Sequence, residues 1–260
     1  MIRVFVAGAM AVAMSACAAR VPPRPVAAAA ADPSALTAFA AATAGCRGLT
    51  TLSAELALSG RAAGERISGR VHAGLEATGA VRLEGVAPFG PPIFILGGRH
   101  ERAVLLLPRE RRVLGDTAVA DVLERLTGLA LGADDLRFML SGCLADQVAP
   151  TDGRSWPGGW QGVSLGPDRA AYVRTRQGQP VVVAADYGPW RIDYAEHQGG
   201  YPRLVRIRRT EGTDITARIG QLSVNTPIDS RAFDLEIPAD YAPLTLDELR
   251  SAAPLAPREE

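Results

Sequence analysis

Apolar and polar residues alternate with a period of two along much of the chain, most clearly between Trp190 and Val224. Trp190, Ile192 and Tyr194 alternate with Arg191 and Asp193. Val205 and Ile207 alternate with Leu204, Arg206 and Arg208, and Ile215, Ala217 and Ile219 with Thr216 and Arg218. Successive side chains of a strand point to opposite faces, so this stretch predicts three antiparallel strands with an apolar inner face and an arginine-bearing outer face. Gly199-Gly200 and Glu211-Gly212 stand where its hairpin turns belong. The same alternation covers Leu52, Ala54, Leu56 and Leu58, then Ile67, Gly69, Val71 and Ala73, then Val81 and Leu83. Ile93 to Leu96 and Ala103 to Leu107 are continuous apolar runs, as in strands covered on both faces. Tyr172 to Thr175 and Val181 to Ala184 predict further strands, and Phe233 to Pro238 an edge strand. Ala87 to Pro92 is a loop, because proline removes ladder donors, and it carries Phe89 at its tip. Residues 150–168, rich in glycine, proline and tryptophan, predict a long connection.

Helical spacing interrupts the strands. Asp32-Pro33 opens a short stripe of Leu36, Phe39 and Ala40 that ends near Gly45. Val119, Val122, Leu123 and Leu126 follow i, i+3, i+4, i+7 from Asp116-Thr117 to Gly128. Leu136, Met139, Leu140 and Cys143 repeat the pattern from Asp134 to Gly142. A weak helix at Leu246 to Ala252 and a polar tail finish the chain. Helix, strands, two helices and more strands make a mainly β, α+β order: one curved antiparallel sheet forming an unclosed barrel plugged by helices. In that arrangement Val122, Leu123, Leu126, Leu136, Met139 and Leu140 face Trp190, Tyr194, Val205 and Ile207 across an apolar cavity suited to acyl chains. Burying such a chain gains roughly 0.8 kcal/mol per CH2 and needs no charged partner.

Composition changes the picture at the N-terminus. The 260 residues carry no net charge, so nothing points to nucleic acid; the chain has arginine and no lysine. Met1-Ile2-Arg3 and the apolar run Val4 to Met14 read as a signal peptide over 1–16, too short to span a bilayer. Met14-Ser15-Ala16-Cys17 resembles the lipobox of bacterial lipoproteins, with Met14 in place of the usual leucine. That resemblance implies cleavage before Cys17 and its acylation, and several acyl chains anchor stably. An Ala/Pro-rich tether over 17–32, a barrel over 33–240 and a tail over 241–260 follow. By likeness to the enterobacterial sorting rule, Ala18 implies the periplasmic face of the outer membrane. Cys46 and Cys143 remain, either as a disulfide or as two buried thiols.

Candidate chemistry is sparse. Gly162-Val163-Ser164-Leu165-Gly166 matches G-x-S-x-G, and Asp186 or Asp193 and then His197 follow in hydrolase order. That motif needs a strand before the serine, a helix after it and a parallel sheet, whereas Pro167 follows here and the neighbouring strands read as antiparallel. No enzyme activity is expected. His72, His100 and His197 are scattered without metal-ligand spacing, so no metal or cofactor is expected. Arg109, Arg111 and Arg112 form a basic run, read as a solvated turn or as a contact for anionic head groups.

Pro88-Phe89-Gly90, Leu123 to Gly128, Leu136-Arg137, Leu140-Ser141-Gly142, Trp190 with Tyr194, and Pro202-Arg203-Leu204 resemble, in that order, the LolB-like outer-membrane lipoproteins. The likeness runs from about Ala35 to Val224. It implies an unclosed barrel of the LolA/LolB type that holds acyl chains. It also implies a monomer that takes acylated lipoproteins from a periplasmic LolA-like carrier and inserts them in the outer membrane. Phe89 matches the apolar loop residue that serves membrane delivery, with Phe in place of Leu. The glycine-rich 151–166, the long segment after Val224 and the two cysteines depart from the pattern. They leave open a carrier of another lipid, or a structural or interaction lipoprotein on the same fold.

Overall fold

A computed structural model describes residues 23–25, 28–62, 64–99, 102–144, 149–209, 212–252 and 255. The expected signal peptide over 1–16, Cys17, His100 and Glu211 lie outside the described residues. In chain order the strands are β1 (Ala30–Ala31), β2 (Thr51–Ala62), β3 (Glu65–Glu76), β4 (Ala80–Val86), β5 (Phe94–Arg99), β6 (Arg102–Leu107), β7 (Arg112–Thr117), β8 (Asp152–Trp156), β9 (Trp160–Ser164), β10 (Arg169–Arg176), β11 (Gln179–Tyr187), β12 (Trp190–Ala195), β13 (Leu204–Arg209), β14 (Thr213–Val224) and β15 (Ala242–Pro243). The helices are α1 (Ser34–Ala42), α2 (Val119–Thr127), α3 (Ala133–Ser141) and α4 (Leu246–Ala252).

All fifteen described strands belong to one open sheet, ordered β1-β8-β9-β10-β11-β12-β13-β14-β2-β3-β4-β5-β6-β7-β15. Neighbours are antiparallel except β7 and β15. The sheet is two meanders joined along one seam, where the 12-residue strands β2 and β14 pair and Leu52 lies opposite Val224. The expected meander over Trp190–Val224 is β12, β13 and β14, with Tyr194 opposite Val205 and Ile207 opposite Ile215.

The helices lie where their stripes find apolar partners. Helix α1 packs on β8 to β11, α3 on β3, and α2 on β6 and α4. Gly128 and Gly142 take φ of +71° and +76° at the ends of α2 and α3, where a left-handed residue lets the amide reach back to Glu124 O and Phe138 O. At the start of α3 the carboxylate of Asp135, not Asp134, accepts from the Gly132 amide at 3.0 Å. Strand β7 runs through Asp116 and Thr117, so α2 begins only at Val119. One continuous core joins the helices to the inner face of both meanders.

Four stretches differ from the sequence-based expectation. Residues 150–168 form the hairpin β8–β9 instead of a bare connection. Gly158 and Gly159 supply the turn, with φ of +81° and +74°. Trp160 then joins Val181, Val183, Ala184, Trp156 and Tyr172 in a second apolar cluster. This cluster lies on the outer face, since Ala171 and Val173, which flank Tyr172, belong to the inner core. Phe233 to Pro238 do not form an edge strand; Ser230–Phe233 is a 3-10 turn packed on β4 and β5, with Phe233 buried. The folded body starts at Ala30 and runs past residue 240, against the boundaries of 33 and 240: Leu244, Leu249 and Leu255 are buried in the core. Asp193, expected on a wet face, is 1 % exposed.

Candidate functional site

Two features carry the candidate site: a projecting apolar tip and a cleft into the barrel. The tip is Phe89, 89 % exposed on the loop between β4 and β5. Pro88 and Pro91 cannot donate to a ladder, and Gly90 turns the chain at φ +78°. Arg109, on the turn between β6 and β7, fixes this shape by donating to Phe89 O at 2.8 Å and Pro91 O at 3.4 Å. Its neighbours in the basic run are used within the chain too: Arg111 pairs with Asp240, and Arg112 reaches Pro243 O at 2.8 Å and Glu248 at 3.1 Å.

The cleft, of about 960 Å3, lies between the end of α1, the end of α3, β11 and the loop from β12 to β13. Ala41, Ala42, Cys46, Gly142, Val182, Tyr194, His197 and Tyr201 are among its walls. Cys46 and Cys143 are joined in a disulfide with Cα atoms 5.3 Å apart, so the ends of α1 and α3 are stapled beside the opening. Of the two readings of this pair, the structure has the bonded one. Tyr194 is 1 % exposed and its hydroxyl has no hydrogen-bond partner among the described residues. Burial holds that phenol far above its usual range, so it keeps its proton and remains a donor. The His197 Nε2 lies 2.8 Å from Val182 O, and burial lowers the ring's pKa below the ordinary histidine value.

The ten residues expected to line an acyl cavity come together, but as packing. Val122, Leu123, Leu126, Met139, Leu140, Trp190, Tyr194, Val205 and Ile207 are buried in one core, with half-buried Leu136 against it. Tyr194 alone among them borders the large cleft; Trp190 borders a separate one on the outer face, of about 810 Å3.

Ser164 ends β9 in an antiparallel hairpin and leads through a turn into β10, so it lacks the strand-to-helix setting that its motif needs. Asp186 accepts from the Tyr172 hydroxyl at 2.9 Å, Asp193 pairs with Arg24 and Arg208, and His197 meets a backbone carbonyl. His72 is an exposed neighbour of Glu55. Among the described residues no group of three or more metal-ligating side chains is assembled, and no helix is long and apolar enough to cross a membrane. Sequence reasoning missed the cleft around Tyr201 and His197 because its walls come from four separate elements with no shared periodicity.

No family model and no curated protein matches this sequence. Among solved structures, a LolA-superfamily protein from Nitrosomonas europaea superposes with a TM-score of 0.50 at 8 % identity, over 79 % of this chain and 98 % of that one. An outer-membrane lipoprotein-sorting protein domain from Vibrio parahaemolyticus gives 0.46 at 10 % identity, over 76 % and 95 %. A DUF1329 family protein from Desulfovibrio piger gives 0.48 at 11 %, over 77 % and 96 %. At these identities the likeness is one of fold. The chain is a single curved, unclosed sheet filled by helices, and that architecture is the LolA/LolB-like fold.

Proposed function

We propose that the protein is an outer-membrane-anchored lipoprotein, held through acylated Cys17, that binds acyl chains and passes lipoproteins from a periplasmic LolA-like carrier into the membrane. The observation that carries this reading is Phe89: a large apolar side chain, almost wholly exposed, on a loop locked in a projecting shape by two prolines and Arg109. Single exposed apolar residues are common. A rigid apolar wedge is suited to entering a bilayer surface. The cleft supports the binding half of the reading, because Ala41, Ala42, Val181, Val182 and Val183 give part of its wall an apolar character that an acyl chain can meet. The test is direct. A fluorescent fatty-acyl probe should bind saturably to the wild type, and Ala42→Trp, whose indole intrudes on the cleft wall, should weaken that binding while the protein stays folded. Absence of saturable binding sinks the carrier reading. Metabolic labelling with a palmitate analogue should mark the wild type and not Cys17→Ser.

A structural or interaction lipoprotein is the second reading, and the packed interior favours it: the chain's own side chains occupy the space between helices and sheet. Native mass spectrometry of the protein separates the two, since co-purifying lipid or acylated peptide belongs to the first alone.

A further inference from the structure

The N-terminal segment Pro23–Pro25 is seated on the outer face of β11 and β12 by one side chain. The Arg24 guanidinium pairs with Asp186 through Nη1 and with Asp193 through Nε at 3.4 Å. Its Nη2 donates to Ala185 O at 2.8 Å and Ile192 O at 3.0 Å, and its carbon lies 5.3 Å from the Tyr172 ring centroid. The receiving groups are held independently of Arg24. Asp193 is 1 % exposed and also pairs with Arg208, while Asp186 accepts from Tyr172 at 2.9 Å. A carboxylate this buried is costly unless cations meet it. Two carboxylates and two carbonyls around one plane match the forked donors of arginine, whereas a lysine ammonium would reach them as a single point.

We propose that Asp186, Asp193 and Tyr172 form an arginine socket that clamps the chain's own N-terminal arm to the outside of the barrel, and that this clamp sets the length of the membrane leash. The second half rests on the reading of Cys17 as the acylated anchor. Seven peptide steps separate Cys17 from Arg24, and thirteen separate it from Ala30, where β1 begins. Extended chain spans about 3.4 Å per residue, so the reach is about 24 Å with the socket filled and about 44 Å with it empty. A filled socket therefore keeps the outer face of β11 and β12, with nearby Trp160, close to the bilayer. An empty one frees the barrel to move off and turn.

Two measurements test this. In the Cys17→Ser protein, Arg24→Gln and Asp186→Asn should each lower the melting temperature, and the double variant should fall no further than the larger single shift. Additive shifts would overturn the socket, whatever the state of Cys17. On liposomes carrying a dansyl lipid, the acylated wild type should show tryptophan-to-dansyl energy transfer that Arg24→Gln lowers at least twofold, because transfer falls steeply with distance and the reach nearly doubles. Arg24→Lys should fall between them. Equal transfer in wild type and Arg24→Gln would overturn the leash. The intact mass of the same preparation shows whether Cys17 is acylated, and a bare Cys17 removes the leash while the melting experiment still decides the socket.

Discussion

Two stretches of the chain look like loops in sequence and have opposite fates. Ala87–Pro92 sets three prolines and one glycine around Phe89, and the stretch from Gly153 to Gly166 sets one proline and five glycines around Trp156 and Trp160. The first stays out of the sheet and holds Phe89 in solvent; the second folds into β8 and β9 and buries Trp160. Backbone donors explain the difference. Prolines 88, 91 and 92 leave their loop short of N–H groups, so it cannot rejoin a ladder. Residues 152–156 and 160–164 contain no proline, and the glycines between them only ease the turn. Gly162 contributes further: a Cβ there would meet the Trp156 ring at 2.9 Å and Tyr172 at 3.2 Å, so its absence lets the aromatic cluster close. Proline count, more than glycine count, separates the projecting loop from the hidden hairpin.

Four substitutions sharpen this contrast. The largest effect belongs to Trp160→Ala, which empties the centre of the outer cluster and should cost about 3 kcal/mol in urea unfolding. A loss under about 0.5 kcal/mol, the size of an ordinary surface change, would mean that the hairpin is as dispensable to the fold as the loop. Phe89→Glu should do the reverse: unfolding free energy within about 0.5 kcal/mol of wild type, with transfer of bound lipoprotein into liposomes lost. A large drop in melting temperature with transfer intact would make Phe89 a packing residue. Arg109→Ala removes the donor to Phe89 O and Pro91 O, so it should loosen the tip and slow transfer by less than Phe89→Glu does. Transfer unchanged within error would show that the prolines alone hold the loop.

The smallest effect is a titration confined to the packed half. His197 lies against Val182 of β11, and burial depresses its folded-state pKa below the unfolded value near 6.5. Below pH 6.5 the unfolded chain therefore takes up a proton that the folded one refuses. The stability contribution is whole above 6.5 and is lost as pH falls through the folded-state pKa. His197→Gln should flatten the fall in melting temperature between pH 7 and pH 5. An identical profile in both proteins would place the titration elsewhere.

Periodicity made much of the architecture legible. The alternation of Trp190, Ile192 and Tyr194 with Arg191 and Asp193 located β12, and glycines 128 and 142 located the ends of α2 and α3. Face assignment failed at Asp193, because a lone acidic residue between apolar neighbours reads as solvated. Its partner Arg24 comes from an Ala/Pro-rich arm with no pattern of its own. Local alternation predicts a strand at Phe233, although its burial comes from packing on β4 and β5, a tertiary contact invisible in a window. For the candidate site, Phe89 was legible as a loop tip. The ten core positions were legible as apolar, but whether they enclose space or fill it depends on side-chain volumes meeting across elements, which periodicity does not encode.

The β2–β14 seam bears on how quickly this chain reaches its native state. Each meander can assemble from hairpins between sequence neighbours, which form on microsecond timescales. The seam is different: Leu52 must find Val224, and loop entropy is lost before any ladder bond compensates. Contacts this remote in sequence place the chain among slow folders, with two partly formed meanders exposing 12-residue edges until they meet. A chain in that interval is open to aggregation and proteolysis. The Cys46–Cys143 bond joins residues 97 apart, ahead of that step in chain order, and ties α1 to α3 while the seam is still open. Reducing conditions should therefore slow refolding as well as weaken the final structure.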